Sequence, residues 1–160
     1  MVFEYVKADL RVQSHASAVV EMVNSLAEDE ISGCQPLDER TRQQLIPALR
    51  KYPNSFTILS FVDGKTAGMS LCFESLSSFK ARPIVNIHDF VVKKEFRGLG
   101  IANGLLKATE KEAKERKACK LTLEVLEGNT LARKIYTKYG FCGYELDPNN
   151  GKALFWEKSL

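Results

Sequence analysis

The sequence is poor in the residues that build metal sites. It contains two histidines, His15 and His88, and four cysteines that stand apart from one another without a C-x-x-C pair. A structural zinc site needs about four such ligands at close spacing, so no metal site is expected. Two of the cysteines, Cys72 and Cys119, lie within apolar runs, which favours buried thiols in a reducing compartment.

Long apolar runs and a strong charge of one sign are also lacking. No stretch approaches the roughly 20 apolar residues of a membrane-spanning helix, and the first residues, MVFEYVKADLRV, do not resemble a secretory signal. We therefore expect a cytoplasmic protein without a membrane partner. The net charge of +3 is too small to indicate a nucleic-acid partner. No repeat or linker divides the 160 residues, so a single domain, 1–160, is expected.

What is present is an alternation of strand and helix patterns in the order β-α-α-β-β-β-α-β-α-β-β. This order predicts an α/β (α+β) fold, with a mixed central sheet of about seven strands flanked by helices. A parallel strand–helix–strand unit with a right-handed crossover should cover 84–126. The polar segment 74–83 is expected to be a loop. The predicted elements are strand 2–6, helix 14–27, helix 38–51, strands 55–62, 66–73 and 84–92, helix 100–117, strand 120–126, helix 129–140, and a closing hairpin of strands 141–146 and 152–158.

A glycine-rich turn lies between the fourth predicted strand and the helix after it, in the run KKEFRGLGIANGLL. Gly98 and Gly100 allow unusual backbone angles, and the helix begins at once, so free N–H groups of residues 98–103 should face outward. Such a helix start attracts anions and suits a pyrophosphate. Positive charge is added beside it by three side chains: Arg97, Lys93 and Lys94.

Two other interpretations of this turn stay open from the residues alone. It can join a strand to a helix without binding any ligand. It can also be the dinucleotide-binding loop of an NAD(P)-dependent oxidoreductase, because Glu124 falls some 20 residues further on. The spacing G-x-G-x-x-x-G, the arginine before the first glycine and the position after a hairpin all count against the dinucleotide loop.

The run RGLGIA matches the R/Q-x-x-G-x-G/A signature of the GNAT superfamily of N-acetyltransferases, and LEVLEGNTLARKIYTKYGF resembles the family's next block. The resemblance covers Ile84–Phe141. It implies the acyl-CoA N-acyltransferase fold and an enzyme that transfers the acetyl group of acetyl-CoA to a primary amine, by direct attack in a ternary complex and without a metal. The alternative is a non-catalytic module of the same fold that binds or senses acyl-CoA.

The resemblance also implies where acetyl-CoA lies. The fourth and fifth strands should diverge, the pantetheine should follow the backbone of the fourth strand, and the pyrophosphate should meet the amides of residues 97–102. Asn129, which can cap the next helix, resembles the asparagine that contacts the cofactor. The implied cofactor-binding residues are Phe90, Val91, Val92, Arg97, Gly98, Leu99, Gly100, Ile101, Ala102, Asn129 and Tyr136.

Two side chains in the second block are candidate catalytic residues. Tyr136 matches the family's tyrosine near the cofactor sulfur, and a phenol of pKa about 10 can protonate a thiolate whose thiol pKa is about 8.5. Alternatively, it packs in the core. Glu124 precedes it by 12 residues, a spacing similar to that in ribosomal-protein alanine acetyltransferases. Glu124 is then a general base acting through water, or simply an acid on a solvated strand face.

The runs IHDFVV and SFKARP resemble diamine acetyltransferases, with His88-Asp89 where that subfamily has Glu-Asp. His88 is either a base, since imidazole titrates near neutral pH, or a structural residue. Asp89 either orients an ammonium or holds a loop. The acidic run AEDE, with Glu28 and Asp29, lies where the family often places the acceptor, although a solvated helix end is the alternative. We expect a small-molecule or peptidic amine as acceptor, and the family allows a homodimer.

Overall fold

The computed structural model describes residues 1–145 and 147–160. The chain forms two compact units, residues 1–126 and 127–160. In the first unit, a five-stranded sheet has the order β1-β2-β3-β4-β5; its first four strands are antiparallel to their neighbours and β5 is parallel to β4. The strands are β1 Phe3–Lys7, β2 Ser55–Val62, β3 Lys65–Ser77, β4 Arg82–Val92 and β5 Lys120–Leu123. The helices of this unit are α1 Gln13–Ala27, α2 Glu39–Leu49 and α3 Ile101–Glu115, with short 3-10 turns at Glu30–Ser32 and Lys94–Phe96.

Side chains that alternate along the strands cover both faces of the sheet. Leu59 and Met69 are fully buried in the cluster that contains the apolar stripe of α1. Their neighbours Ser60 and Ser70 point to the opposite face, where Thr109 of α3 donates a hydrogen bond of 3.0 Å to Ser70. Since successive strand residues face opposite sides, α1 and α3 pack on opposite faces, which is the mixed, helix-flanked arrangement predicted from the sequence.

One glycine sets how closely α3 approaches the edge of the sheet. A Cβ placed on Gly104 would lie 2.1 Å from the ring of Tyr5 in β1. No real side chain fits at that separation, so the first turns of α3 can rest against the tyrosine only because residue 104 lacks a side chain.

The pairing of β4 with β5 ends at a β-bulge in β4. Leu71 and Cys72 of β3 pair with Asp89 and Ile87 of β4, so His88 is an extra residue in β4. The parallel pairing of β4 with β5 ends at the same point, because its last pair is Ile87 with Leu123 and β4 continues to Val92. We call this point, one residue beyond Ile87 on β4 and beyond Leu123 on β5, the β4–β5 fork. β5 itself ends at Leu123, short of the predicted 126, so the divergence of the two strands that the family resemblance implied stays a prediction.

The second unit contains α4, Thr130–Tyr139, and a 3-10 turn at Pro148–Asn150. The predicted closing hairpin is wrong for the residues described: 141–145 and 152–158 form no strand, and Leu146 lies outside them. Phe155 and Trp156, which lie in the second predicted strand of the hairpin, are about 80% exposed. The preference of aromatic residues for strands reflects packing against neighbouring strands, which these side chains lack, and an isolated hairpin is marginally stable. The sheet consequently has five strands and not about seven.

The predicted loop at 74–83 is also wrong. β3 extends to Ser77 and β4 begins at Arg82, so most of this polar segment forms the two ends of a hairpin. The backbone pairing continues from Glu74 with Val85 to Ser77 with Arg82. The ladder between main chains does not require apolar side chains, which is why a polar stretch forms strands here.

Candidate functional site

The end of β4 leads into the glycine turn that the sequence singled out. After the 3-10 turn Lys94–Phe96, Gly98 and Gly100 adopt left-handed backbone angles, with φ of 81° and 83°. Side chains other than glycine are strained there. Nothing lies within 4 Å of a Cβ built on either residue, so the space above both glycines is open.

The first turn of α3 lacks the usual side-chain cap. Its N-cap residue is Gly100, which has no side chain to accept a hydrogen bond, and the turn holds no acidic residue. The N–H groups of Ile101, Ala102 and Asn103 have no acceptor within the helix, because helical bonds begin only four residues in. These N–H groups and the helix dipole together form an environment that attracts an anion.

The basic side chains beside this turn are paired with acids of α1 and of the residues that follow it. Arg97 donates to Asp29 at 2.8 Å and to the carbonyl oxygen of Val92 at 3.1 Å. The two lysines form ion pairs as well, Lys94 with Glu30 at 3.6 Å and Lys93 with Glu21. The positive charge expected to meet a pyrophosphate is thus balanced locally, and the backbone N–H groups are the principal anion-attracting feature. Sequence reasoning missed these pairs, and only the opposite charges of the two segments hinted at them.

The two candidate acceptor residues between α1 and α2 differ in their surroundings. Glu28 is the exposed C-cap residue of α1. Asp29 is largely buried, and the hydrogen bond from Arg97 lowers the pKa of its carboxyl group, aided by the N–H of Ile31 at 3.2 Å. Asp29 is therefore ionised at neutral pH and is engaged in a contact that the sequence did not indicate.

The fork brings together three of the predicted site residues. His88 follows Ile87 and Glu124 follows Leu123, so each stands one residue beyond the last β4–β5 pair, and both are exposed. His88 contacts the ring of Phe73 edge-on, with ring centroids 5.2 Å apart.

Asp89, the next residue of β4, is half-buried. Burial raises the pKa of its carboxyl group, an effect partly opposed by the nearby His88. The carboxylate therefore stands in a poorly hydrated position beside the fork, where a cationic partner would stabilise its charged form.

Asn129 and Tyr136 belong to the second unit, where α4 was correctly predicted. The side-chain oxygen of Asn129 accepts a hydrogen bond of 3.1 Å from the N–H of Ala132 and so caps the helix. Tyr136 is the buried residue of α4 and packs edge-on against Phe141, with ring centroids 5.9 Å apart. Burial raises the pKa of Tyr136 to about 12.

Within the described ranges, no group of three or more side chains comes together in a way that could hold a metal ion. None of the helices described has the length and apolar character needed to cross a membrane.

Residues 19–141 match the model of the family described as Acetyltransferase (GNAT) family. The chain belongs to this family. The match includes the whole segment from the fork to the end of α4.

Individual relatives agree with this membership. An uncharacterized N-acetyltransferase of Methanocaldococcus jannaschii is 35% identical over 98 residues, which are 61% of this chain and 58% of that protein. The match thus spans less than two thirds of the relative's length.

Solved structures share the fold at low identity. The ribosomal-protein-alanine N-acetyltransferase of Brucella melitensis superposes with a TM-score of 0.69 at 19% identity, covering 91% of this chain and 99% of its own. AAC(6')-Iy, solved with the bisubstrate analogue CoA-S-monomethyl-acetylneamine, superposes with a TM-score of 0.77 at 14% identity over the full length of both chains.

Proposed function

We propose that the protein is an N-acetyltransferase that moves the acetyl group of acetyl-CoA to a primary amine. One observation carries the proposal: β4 continues past the β4–β5 fork and leads, through a short 3-10 turn, into an uncapped, glycine-opened helix start. A thioester at the fork and a pyrophosphate at the helix start are the two parts of an acyl-CoA that such an arrangement can recognise. Membership of the GNAT family supports the same conclusion.

We assign the acyl donor, a substrate here, to the carboxyl-terminal end of β4 and the first turn of α3. The backbone of Phe90–Val92 would receive the pantetheine, and the N–H groups of residues 97–102 the pyrophosphate. The open space above Gly98 and Gly100 fits a bulky anion, since a side chain at either position would occupy it. Asn129 would add a contact through its amide group while its oxygen caps α4.

A cationic amine must first lose a proton to a base, because an ammonium nitrogen has no lone pair. The neutral nitrogen attacks the thioester carbonyl carbon, so that a C–N bond forms and the C–S bond breaks. The nitrogen then loses a second proton and the departing sulfur gains one, so that one proton is released overall. We propose the fork residues Glu124 and His88 as the candidates for the base, directly or through water, because both stand exposed beside the last β4–β5 pair.

Tyr136 is proposed as the hydrogen-bond donor to the sulfur. With its pKa raised to about 12, complete transfer to a thiolate of thiol pKa about 8.5 is uphill by roughly 3.5 units, or about 5 kcal/mol. A phenol that stays protonated over the whole working range is, however, a dependable hydrogen-bond donor. We therefore propose that Tyr136 stabilises the leaving thiolate by a hydrogen bond, with the proton supplied finally by solvent.

The acceptor is proposed to be a cationic amine, either a small molecule or the N-terminus of a peptide. Asp89, half-buried next to the fork, would gain a partner for its carboxylate, and the exposed Glu28 would attract positive charge. Structural relatives act on ribosomal-protein alanine or are bound to an acetylneamine analogue, so both acceptor classes deserve testing. We further propose that residues 1–160 act as one domain in the cytoplasm and that the protein assembles as a homodimer.

The test is thiol release from acetyl-CoA with polyamines, amino acids, aminoglycosides and short peptides, alongside thermal shift with acetyl-CoA. Release that depends on one amine class, with acetylated amine formed in equal amount, would establish the activity and its acceptor. A thermal shift without release across the panel would favour a sensor of acyl-CoA. Absence of both, together with a shift on NAD(P), would replace the proposal with a dinucleotide-binding protein.

A further inference from the structure

Three ion pairs connect the end of β4 and the following turn with residues of α1 and the α1–α2 connection, which we define as residues 28–38. All the cations lie on the first side and all the acids on the second: Lys93–Glu21, Lys94–Glu30 and Arg97–Asp29. The pairs differ in exposure. The side chains of Lys94 and Glu30 are 63% and 84% exposed, those of Lys93 and Glu21 18% and 50%, and those of Arg97 and Asp29 42% and 16%. Exposed pairs contribute little to stability, which sets the Lys94–Glu30 pair aside. Of the other two, the Arg97–Asp29 pair is the candidate for a specific role, because each of its side chains also bonds to the backbone of its own segment.

Asp29 organises the α1–α2 connection around itself. Its side chain accepts from the N–H of Ile31, and its carbonyl oxygen accepts from the N–H groups of Ser32 at 2.9 Å and Cys34 at 3.3 Å. The bonds to the carbonyl oxygen belong to the main chain and persist in a side-chain variant, so the side chain itself contributes the contacts with Ile31 and Arg97.

Arg97 likewise bonds within its own segment, the end of β4 and the glycine turn, as well as to Asp29. One guanidinium nitrogen donates to the carbonyl oxygen of Val92, the last residue of β4, and another donates to Asp29. Arg97 is followed directly by Gly98, which has an open, left-handed backbone and no side chain to restrain it. Since glycine is the most flexible residue, a restraint on Arg97 limits the turn at its entrance.

We propose that Asp29 is a positioning residue: through Arg97 it holds the glycine turn in its open form and couples that turn to the α1–α2 connection. The Arg97 side chain then serves the architecture of the turn and is not a ligand of the pyrophosphate. The coupling to acetyl-CoA rests on the proposed function. If the turn binds acetyl-CoA, this binding also orders the α1–α2 connection, although acetyl-CoA does not contact it. By linkage, an amine that orders the connection tightens donor binding by the same factor.

The first experiment uses the free protein and needs no ligand. Hydrogen exchange is followed in peptides that cover 97–104 and 28–34, in wild type, Asp29→Asn and Arg97→Gln. We expect both variants to exchange faster in both peptides, by about threefold to tenfold, as loss of a charge-assisted hydrogen bond implies. The double variant should be no faster than either single variant, because all three lack the same pair.

Two controls separate positioning from loss of charge. Glu30→Gln removes a neighbouring carboxylate from an exposed, longer pair, so its effect should be less than about twofold. Glu115→Gln does the same in an exposed pair on α3 and should leave both peptides unchanged. The proposal is overturned if Asp29→Asn speeds exchange only in its own peptide, or if Glu30→Gln has an equal effect at 97–104. If one variant fails to fold, the other breaks the same pair from the opposite side.

The second experiment adds acetyl-CoA. In wild type the donor should slow exchange in both peptides, and in Asp29→Asn only in 97–104, with KM for acetyl-CoA raised about tenfold and kcat changed far less. Asp29→Glu, which keeps the charge, should recover part of the coupling. Protection of 97–104 with none at 28–34 in wild type would overturn the coupling while leaving the proposed function intact. No protection at 97–104 would contradict the proposed function. The positioning role of Asp29 would then be decided by the exchange rates measured in the free protein.

Discussion

The two junctions in which a strand leads into a helix, β4 to α3 and β5 to α4, differ in how the helix begins. At the first, Gly100 leaves the N–H groups of α3 without a side-chain cap. At the second, Asn129 caps α4 through the N–H of Ala132. An Asn cap is favoured over a Gly cap by only a few tenths of a kcal/mol, so the two helix starts differ in the groups they leave free more than in stability.

The difference indicates that the first junction is suited to contacts made by the backbone and the second to contacts made by side chains. Around α3 the necessary feature is left-handed geometry at two glycines, and the side chains at the turn bond to the protein itself. In the second unit the candidate groups are an amide and a phenol. Substitutions in the two regions should therefore fail in different ways.

The largest effect is expected for Gly100→Asp. A carboxylate at this position would occupy the open space and repel a pyrophosphate, while the left-handed backbone would be strained by about 1–2 kcal/mol. We predict that the Kd for acetyl-CoA rises about 100-fold, or ~2.7 kcal/mol, in isothermal titration calorimetry.

Gly64→Asp is the matched control for this substitution. Gly64 has φ of 77° and open space like Gly100, but it lies in the β2–β3 turn. It should lose similar stability and keep its affinity for acetyl-CoA. Equal weakening of binding in both variants would show that strain, and not the anion site, is responsible.

The next largest effect is expected for Tyr136→Phe in the second unit. Loss of a donor to the leaving sulfur should lower kcat about 100-fold in the thiol-release assay, with Kd for acetyl-CoA nearly unchanged. Since its pKa is raised to about 12, the phenol stays protonated, so wild-type kcat should show no titration of Tyr136 below about pH 10. The control is Tyr139→Phe, which removes a second phenol three residues further along the same helix. Full activity in Tyr136→Phe with every acceptor would remove this residue from the mechanism.

A smaller effect is expected for Asp89→Asn beside the fork, and it should have opposite signs for stability and for activity. Burial raises the pKa of Asp89, so the charged carboxyl costs stability above its folded pKa and the cost disappears below its ordinary pKa of about 3.9. The variant should therefore raise Tm at pH 7 and have less effect near about pH 3.5, while kcat/KM for the amine falls about tenfold.

Glu4→Gln, an exposed carboxylate in β1, controls for the charge removed by this change and should alter neither quantity. A lower Tm for Asp89→Asn at pH 7 would mean that the carboxylate has a stabilising partner and that its assignment to the amine is wrong.

The smallest effect is expected for Asn129→Ala. Loss of the cap should destabilise the protein by about 1 kcal/mol, a Tm decrease of about 2–4 °C in thermal denaturation. Asn129→Ser keeps an oxygen for the cap and should restore most of the stability. If Asn129→Ser is stable but binds acetyl-CoA more weakly, the amide also contacts the donor. An unchanged Tm in Asn129→Ala would contradict the capping role.

The elements that the sequence predicted well are those with local signals. The predicted helix 38–51 corresponds to α2, which Asp38 caps with its carboxylate 2.7 Å from the N–H of Thr41. The glycine turn and the start of α3 were likewise located by Gly98 and Gly100, whose backbone requirement is a property of the residue itself. Within α3, the ion pair of Glu110 with Lys114 is also local, since the two residues stand four positions apart on one helix.

The features that escaped prediction depend on contacts between distant segments. The bulge at His88 appears only when β3 and β4 are paired, and the need for glycine at Gly104 appears only when α3 meets Tyr5. The Arg97–Asp29 pair joins residues 68 positions apart. The predicted C-terminal hairpin failed for a related reason, since its pattern described the preferences of side chains but not whether a neighbouring strand was present.

The most direct test of the central claim is a titration of the ¹⁵N-labelled protein with acetyl-CoA, followed by amide NMR. Our account predicts saturable shifts that are largest at Gly98, Gly100 and the first three N–H groups of α3, with Gly64 unmoved. The Gly100→Asp variant should lose these shifts at the same concentrations. Saturable binding that leaves Gly98 and Gly100 unshifted would contradict the assignment of the glycine turn as the site of the acyl donor.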